Sequence, residues 1–215
     1  MLEVGGPLSY PAQYLQTPVT HHGSLFKDQY WRHYDVLPKD LYTMRMYCDT
    51  AQKTNEHNDY TVFQVWGRNQ HGIWLIDQVR GKMEAPQLES ALVDFYNKHK
   101  THHMKPTGVT LIKVEDKSSG SSLIQSIKQN YAIPIEGIPR NKDKGHRAKD
   151  LVGHFASGNV FIPRNAEWIH DYKQEFREFN AMLTHRHDDQ VDPTLDAIED
   201  LLVNEDVLYT TENLS

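Results

Sequence analysis

The fold is decided by the stretch Leu41-Tyr-Thr-Met-Arg-Met-Tyr-Cys-Asp49-Thr-Ala51 and by its return, Asp59-Tyr-Thr-Val-Phe-Gln-Val-Trp66. The first run is apolar, rich in residues that favour strands, and ends in a carboxylate, while the second run alternates along its length. The two runs therefore predict neighbouring strands of a hairpin, with Asp49 at a strand end. A carboxylate in that place is well suited to hold a metal ion.

Length and composition are those of a globular protein with a sizeable core. The chain has 215 residues, of which 38% are hydrophobic and 24% are charged. No apolar run approaches the ~18 residues of a membrane-spanning helix, and the first residues lack the basic and apolar regions of a secretory signal. Cys48 is the single cysteine, which excludes an internal disulfide and favours a reducing compartment. The net charge of −6 argues against a protein that coats DNA, but not against a nuclease.

Two regions are predicted along the chain. Residues 1–40 are rich in Pro, Gly, Tyr and His without a sustained period, which predicts an extended arm or linker. Residues 41–215 are predicted to form one domain. Its strands are expected at 41–49, 59–68, 73–80, 109–114, 132–138 and 159–162. Its helices are expected at 86–100, from 118, at 143–156, at 168–179 and from 189 or 190.

This order of elements predicts an α/β fold. The first three strands form an antiparallel meander, and the later strands join the sheet in parallel, with helices on both faces. The strand at 109–114 is expected to be central and buried on both faces. The crossover rule places the ends of the first and fourth strands side by side, so Asp49 and Glu115 are expected to be neighbours.

Two acidic clusters can join Asp49, namely Val114-Glu115-Asp116-Lys117 and His187-Asp188-Asp189-Gln190-Val191-Asp192. Phosphodiester hydrolysis needs an activated water and a stabilised leaving oxyanion, and two Mg²⁺ or Mn²⁺ ions about 3.5–4 Å apart supply both. Such hard cations prefer carboxylate oxygens. We expect Asp49 to bridge the two ions, Glu115 to bind one, and Asp188 or Asp189 to bind the other.

Three further residues are candidates to assist these acids. His187 can orient a ligand or move a proton near neutral pH. Asp116 directly follows Glu115, and Asp59 comes ten residues after Asp49. Each acid alone is more typical of a turn, a solvated edge or the first turn of a helix. It is the three clusters together, on this strand pattern, that favour a metal site.

The clearest basic patch lies before and within the helix predicted at 143–156. It has two interpretations, a solvated helix face or a clamp on the DNA backbone beside the acidic site. Its members are Arg140, Lys142, Lys144, Arg147 and Lys149.

At these residues the sequence resembles the nuclease (C-terminal) domain of a tailed-bacteriophage terminase large subunit, a member of the RNase H-like superfamily. The resemblance covers nearly the whole chain. Its motifs, in order, are Gln13-Tyr-Leu-Gln-Thr-Pro18, Asp49-Thr-Ala51 with Asp59-Tyr60, Asp77-Gln-Val-Arg80, Val114-Glu-Asp-Lys-Ser-Ser-Gly120, Asp143-Lys-Gly-His-Arg147 and His187-Asp-Asp-Gln-Val-Asp192.

The resemblance implies an RNase H-like sheet and an endonuclease that cuts concatemeric viral double-stranded DNA during genome packaging in the host cytoplasm. It also implies that Asp49, Glu115 and the pair Asp188 and Asp189 are the metal-binding acids. The arm resembles the segment that joins the family's ATPase motor to the nuclease. No Gly-x-x-x-x-Gly-Lys-Ser/Thr loop occurs here, so no ATPase activity is expected. The implied partners are DNA, the absent upstream ATPase domain, the portal and the small terminase subunit, with no membrane.

One departure concerns the last motif, which such sequences often continue with Asp-Ala. Here Pro193 follows Asp192, and proline is tolerated only in the first turn of a helix. The final helix is therefore expected to begin near Gln190, and the choice between Asp188 and Asp189 as metal ligand stays open.

Two other functions share parts of this pattern. An RNase H-like enzyme of the same design could instead act on branched junctions or RNA–DNA hybrids. A non-catalytic module of the same fold could dock on a portal or motor. The intact set of acids argues against the second alternative.

Overall fold

The computed structural model describes residues 24–51, 60–101, 107–140, 142–179 and 188–204. Seven strands form one sheet, and their bounds are β1 (Arg32–Tyr34), β2 (Thr43–Asp49), β3 (Thr61–Asn69), β4 (Gly72–Gly81), β5 (Leu111–Glu115), β6 (Ile135–Ile138) and β7 (Val160–Pro163). Five α-helices accompany them in the described ranges, namely α1 (Ala85–His99), α2 (Ser118–Asn130), α3 (Lys144–Ala156), α4 (Ile169–Glu178) and α5 (Val191–Ile198). A π-helical turn, Glu199–Asn204, continues α5.

The strand order is β1-β7-β4-β3-β2-β5-β6. Strands β2, β3 and β4 are antiparallel neighbours, and the other pairings are parallel. The predicted mixed sheet is therefore confirmed. The predicted turn between β3 and β4 ends at Gly72, where φ is +141° and an added Cβ would lie 2.1 Å from the Asn159 carbonyl oxygen, so only glycine fits there.

The two faces of the sheet carry separate cores. Helices α1 and α2 cover one face, and α3, α4 and α5 cover the other, so the prediction of helices on both faces is confirmed. Successive residues of a strand point to opposite faces, so Met46 and Cys48 of β2 lie under α1 and α2 while Tyr47 lies under α5.

The prediction that the strand at 109–114 is buried on both faces is wrong. In β5, Ile112 and Val114 are buried, whereas Leu111 and Lys113 are only half-buried. Lys113 reaches Asp200 at 2.8 Å and Glu136 at 3.1 Å. On this face Lys113 therefore makes ion pairs to the π-helical turn and to β6 instead of apolar contacts.

The described part of the predicted arm, residues 24–40, packs on the domain. Strand β1 pairs with β7 through Arg32 and Phe161, and Phe26 and Trp31 are buried in the second core. The Trp31 ring meets the Phe176 ring edge-on at 5.3 Å. The division of the chain into 1–40 and 41–215 stays a prediction, and residues 1–23 lie outside the described ranges.

Candidate active site

Two predicted acids lie at the ends of adjacent parallel strands. Asp49 ends β2 and Glu115 ends β5, and the register pairs Cys48 with Val114 immediately before them. The alternation that buries Cys48 under α1 and α2 turns Asp49 to the other face. Gly120 lets the first turn of α2 approach the end of β5, because an added Cβ would lie 1.9 Å from the Glu115 carbonyl oxygen.

Helix α5 brings further acids to the same place. Asp192 and Asp196 are one turn apart, so both lie on one side of the helix, and both are buried. Asp188 precedes them by one more turn. Pro193 falls in the first turn of α5, which begins after Gln190, as expected from the sequence.

Arg140 lies where these elements converge. Its Nη1 atom is 3.6 Å from Asp49 Oδ1, 2.8 Å from Glu115 Oε2 and 3.3 Å from Asp192 Oδ2. The other edge of the guanidinium faces Asp196, with Nη2 at 2.7 Å from Oδ2 and Nε at 3.3 Å from Oδ1. Carboxylates from two strands and one helix therefore surround a single cationic nitrogen.

Two more cations from α3 complete the cluster. Lys144 Nζ lies 2.6 Å from Asp192 Oδ2 and 2.9 Å from Asp188 Oδ1. Arg147 Nη1 lies 2.9 Å from Asp192 Oδ1, and its Nη2 donates to Asp196. Asp192 thus has three cationic partners, which fix its side chain.

The local charges move the pKa values of these groups in opposite directions. Burial and the charge of Asp192 raise the pKa of Asp49 well above its usual range. Burial alone would raise the pKa of Glu115 as well, but Arg140 lowers it, as does a hydrogen bond with Asp49. The surrounding carboxylates raise the pKa of Lys144 despite its burial, so Lys144 remains charged near neutral pH.

The structure separates the two candidates of the last motif. Asp188 contacts Lys144 and so adjoins Asp192, whereas Asp189 lies 3.4 Å from Arg80 Nη2, beside Glu175. Asp116 is exposed and accepts a hydrogen bond of 2.6 Å from Ser121. His187 and Asp59 lie outside the described residues. The metal-ligand roles of all these residues stay predictions.

The predicted DNA contacts divide into two groups. Arg140, Lys144 and Arg147 are enclosed in the ion pairs described above. Lys142 and Lys149 are exposed, and Lys142 pairs with Asp150 at 2.8 Å on the surface. Only the exposed pair offers charge to solvent in this arrangement, and the DNA-contact role of all five residues stays a prediction.

Asp192 and Asp196 were not among the candidate ligands drawn from the sequence. The signal that identifies them is the spacing of four residues between Asp188, Asp192, Asp196 and Asp200. That spacing places acids on one side of a helix. Asp200 continues the row in the π-helical turn, where Arg45, Tyr47 and Lys113 each bind it within 2.8 Å.

The chemistry of this donor set suits a hard divalent cation. Among the described residues, no group of three or more His, Cys, Asp or Glu side chains is arranged to hold a metal ion directly. However, Asp49, Glu115 and Asp192 all present carboxylate oxygens to one point, which Arg140 Nη1 now occupies. Mg²⁺ and Mn²⁺ prefer such ligands. The residues therefore fit these metals, provided that Arg140 moves.

Comparison with known families and solved structures identifies relatives of this chain. The model of the family "Terminase RNaseH-like domain" matches residues 46–201. No curated protein matches the chain. The described helices include none long and apolar enough to cross a membrane.

Solved structures share the fold at low sequence identity. The large terminase of a thermophilic bacteriophage is 13% identical with a TM-score of 0.63, and the match covers 84% of this chain and 45% of that one. The large terminase nuclease of thermophilic phage G20c is 14% identical with a TM-score of 0.58, and the match covers 82% and 98%.

The human cytomegalovirus terminase nuclease domain is also 14% identical, with a TM-score of 0.55 and coverage of 80% and 93%. The G20c nuclease has been solved with bound zinc, and the cytomegalovirus domain after a manganese soak with an inhibitor bound. The RNase H-like fold and the terminase resemblance predicted from the sequence are confirmed. The match spans less than half of the first of these proteins, the bacteriophage large terminase.

Proposed function

The chain belongs to the terminase RNase H-like domain family, and we propose that it is a metal-dependent endonuclease that cuts concatemeric viral double-stranded DNA during genome packaging. One observation carries the proposal. Oxygens of Asp49, Glu115 and Asp192, from three separate elements, lie within 3.6 Å of one cationic nitrogen. One related nuclease structure has bound zinc and another comes from a manganese soak, which supports a divalent metal in this chain as well.

Asp49, Glu115 and Asp192 would hold the metal, with Asp188 one turn away on the side of Lys144. Two Mg²⁺ or Mn²⁺ ions would supply an activated water and stabilise the leaving oxyanion. Lys144 and Arg147 hold the Asp192 carboxylate in place from the helix side. The buried strand ends keep Asp49 and Glu115 in a medium of low polarity, where charge interactions are stronger than in water.

We assign contact with the DNA backbone first to Lys142 and Lys149, because they are the exposed members of the basic patch. Phosphate contacts of this kind weaken as salt concentration rises. The proposal also includes the partners of the whole protein, namely an upstream ATPase domain, the portal and the small terminase subunit. Its location would be the host cytoplasm.

A non-catalytic docking module is the second candidate, because Arg140 fills the point where the three carboxylates meet. Ion pairs of this quality can be purely structural. The two functions differ in whether the chain cleaves DNA, so one assay separates them.

The test is cleavage of a plasmid by the chain in Mn²⁺, Mg²⁺ or EDTA, with Asp49→Asn as the site variant. Asp94→Asn is the matched control, because Asp94 is exposed on α1, across the sheet from the site. We expect linearisation and degradation with metal, none with EDTA, a loss of about 10³-fold or more in Asp49→Asn, and no change in Asp94→Asn. Branched and RNA–DNA hybrid substrates in parallel test the alternative substrates.

Two results would contradict the proposal. Equal cutting by Asp49→Asn and the unmodified chain would show that Asp49 is not needed for cleavage and is not part of the catalytic site. If the unmodified chain does not cut DNA with either metal, and Asp49→Asn binds DNA as well as the unmodified chain does, the docking module is favoured.

A further inference from the structure

We propose that Arg140 is a built-in counter-ion that controls metal binding at the carboxylate site. In this arrangement its guanidinium holds Asp49, Glu115 and Asp192 together, and it must withdraw from these three carboxylates when a divalent cation binds. The inference rests on the proposed function, since it concerns the metal of that site.

The first step of the argument is position. A cation bound to carboxylate oxygens lies about 2.0–2.6 Å from each of them. Arg140 Nη1 is already 2.8 Å from Glu115 Oε2 and 3.3 Å from Asp192 Oδ2. A metal ion bound to these oxygens would therefore need the position that Arg140 Nη1 occupies, so the two compete for it.

The second step is charge. Four carboxylates, those of Asp49, Glu115, Asp192 and Asp196, face the side chains of Arg140, Lys144 and Arg147. Removing one positive charge from this buried cluster leaves carboxylates without a partner, which is costly unless another cation replaces it. Exchange of Arg140 for a divalent cation satisfies that requirement.

The third step is the second anchor of the guanidinium. The edge formed by Nε and Nη2 faces Asp196 in a two-point contact, independently of Nη1. Two-point contacts between arginine and a carboxylate are strong and directional. Asp196 is fully buried and remains beside the side chain, but the guanidinium is rigid and planar, so the Nε and Nη2 contacts with Asp196 must also turn when Nη1 leaves the three other carboxylates.

The fourth step is the backbone. Arg140 lies in the connection between β6 and α3, after Ile138 and before Lys144. It belongs to neither of these two elements, so its backbone can shift and carry the side chain away without disrupting a helix or a strand. Arg147, by contrast, is fixed within α3.

The experiment is calorimetric titration of the 215-residue chain with Mn²⁺, comparing the unmodified protein, Arg140→Gln and Arg164→Gln. Arg164 is the matched control, since it is an exposed arginine paired with Asp35 on the surface. We expect Arg140→Gln to bind Mn²⁺ tighter by about tenfold or more, and Arg164→Gln to bind as the unmodified chain does. Equal or weaker binding by Arg140→Gln would overturn the inference and leave the metal site standing. Absence of Mn²⁺ binding by all three proteins would overturn the proposed metal site and this inference with it.

A second measurement avoids any loss of fold in the variant. The unmodified chain is labelled with ¹⁵N-arginine, and its arginine Nε–H signals are assigned by through-bond NMR correlations. Saturating Mg²⁺ should shift the Nε–H signal of Arg140 and leave that of Arg164 in place. A signal of Arg140 that does not move while Mg²⁺ binds would show that the guanidinium does not withdraw, and would refute the proposal.

Discussion

On one face of the sheet, α1 and α2 cover Met46, Phe63 and Val65, whereas on the other face α3, α4 and α5 cover Tyr47, Gln64 and Trp66. The first core is closed by apolar contacts, such as those of Leu88, Leu92, Phe95, Ile124 and Ile127. The second core contains aromatic rings together with buried amides, carboxylates and guanidinium groups. Both cores use the same strands, so the strands contribute to the difference through their alternate residues, whose side chains point to opposite faces.

A group of buried polar side chains on the second face is linked by hydrogen bonds. Gln64 Nε2 donates to Gln78 Oε1 at 2.8 Å, and Gln78 Nε2 donates to Gln190 Oε1 at 2.6 Å. Gln190 donates from its backbone and side-chain nitrogens to the two oxygens of Glu175, each at 2.6 Å. Thr194 adds a hydrogen bond of 3.0 Å to Gln64 Oε1. This chain of bonds fixes the start of α5, and therefore the position of Asp192.

The comparison teaches that the two faces derive their stability from different sources. Apolar burial is roughly proportional to area and has no direction. Buried polar groups stabilise only when each has its partner, and they are costly when one partner is removed. The face with directional contacts is the one that can hold acids in a defined geometry, and it is the one that carries the candidate site.

The largest effect is expected from breaking one partner of the buried ion cluster. Asp196→Asn removes the charge that both Arg140 and Arg147 contact, and should lower the free energy of unfolding by about 3–5 kcal/mol. Asp150→Asn, which breaks the exposed pair with Lys142, should leave it nearly unchanged, because solvent screens that pair. Urea denaturation of both variants measures the difference. Equal losses would show that burial does not distinguish these ion pairs.

A somewhat smaller loss is expected from the apolar face. Leu92→Ala removes a fully buried side chain from α1 and should lower the free energy of unfolding by about 3 kcal/mol. Leu92→Met keeps the volume and should cost less than about 1.5 kcal/mol. Urea denaturation provides the stabilities, and Mn²⁺ titration should give the same affinity for both variants as for the unmodified chain. An altered affinity would mean that the two faces are coupled through the sheet.

The smallest effect concerns an acid at the margin of the apolar face. Burial alone would raise the pKa of Asp77, but hydrogen bonds from His99 and Lys98 lower it to about 2. Because the folded-state pKa lies below the unfolded value, the stabilisation is present above about pH 4 and is lost as the pH falls toward 2. After allowance for solvent screening, Asp77→Asn should cost about 1 kcal/mol at about pH 6.

That cost should shrink as the pH falls through about 2, the folded-state pKa of Asp77, and disappear only below it, where Asp77 is protonated in both states. Urea denaturation at several pH values measures it, with Asp94→Asn as an exposed control. A difference that stays constant with pH would mean that the charge of Asp77 contributes nothing and that only its shape matters.

Much of the sheet could be predicted because strand signals are local. The strands 41–49 and 73–80 are recognisable by residue type and by the turn that ends at Gly72, and each of the five predicted helices is present. Strand β1 could not be predicted in this way. It has three residues, lies in a segment rich in turn-forming residues, and exists because Arg32 to Tyr34 pair with Phe161 to Pro163 far along the chain.

Some features of the candidate site could likewise be predicted from local sequence, and others could not. The sequence by itself determined the order of the acids, the strand ends that carry Asp49 and Glu115, and the spacing of four residues between Asp188, Asp192 and Asp196, because these depend on local order and periodicity. Asp192 and Asp196 lie on one side of α5, and Asp188 precedes that helix. Only the tertiary structure decided that Asp192 faces the strand ends while Asp189 turns to Arg80, and that Arg140 lies among the carboxylates rather than in solvent. The physical reason is that a buried charge is held by partners from distant elements, and the sequence does not state which partners the fold will bring together.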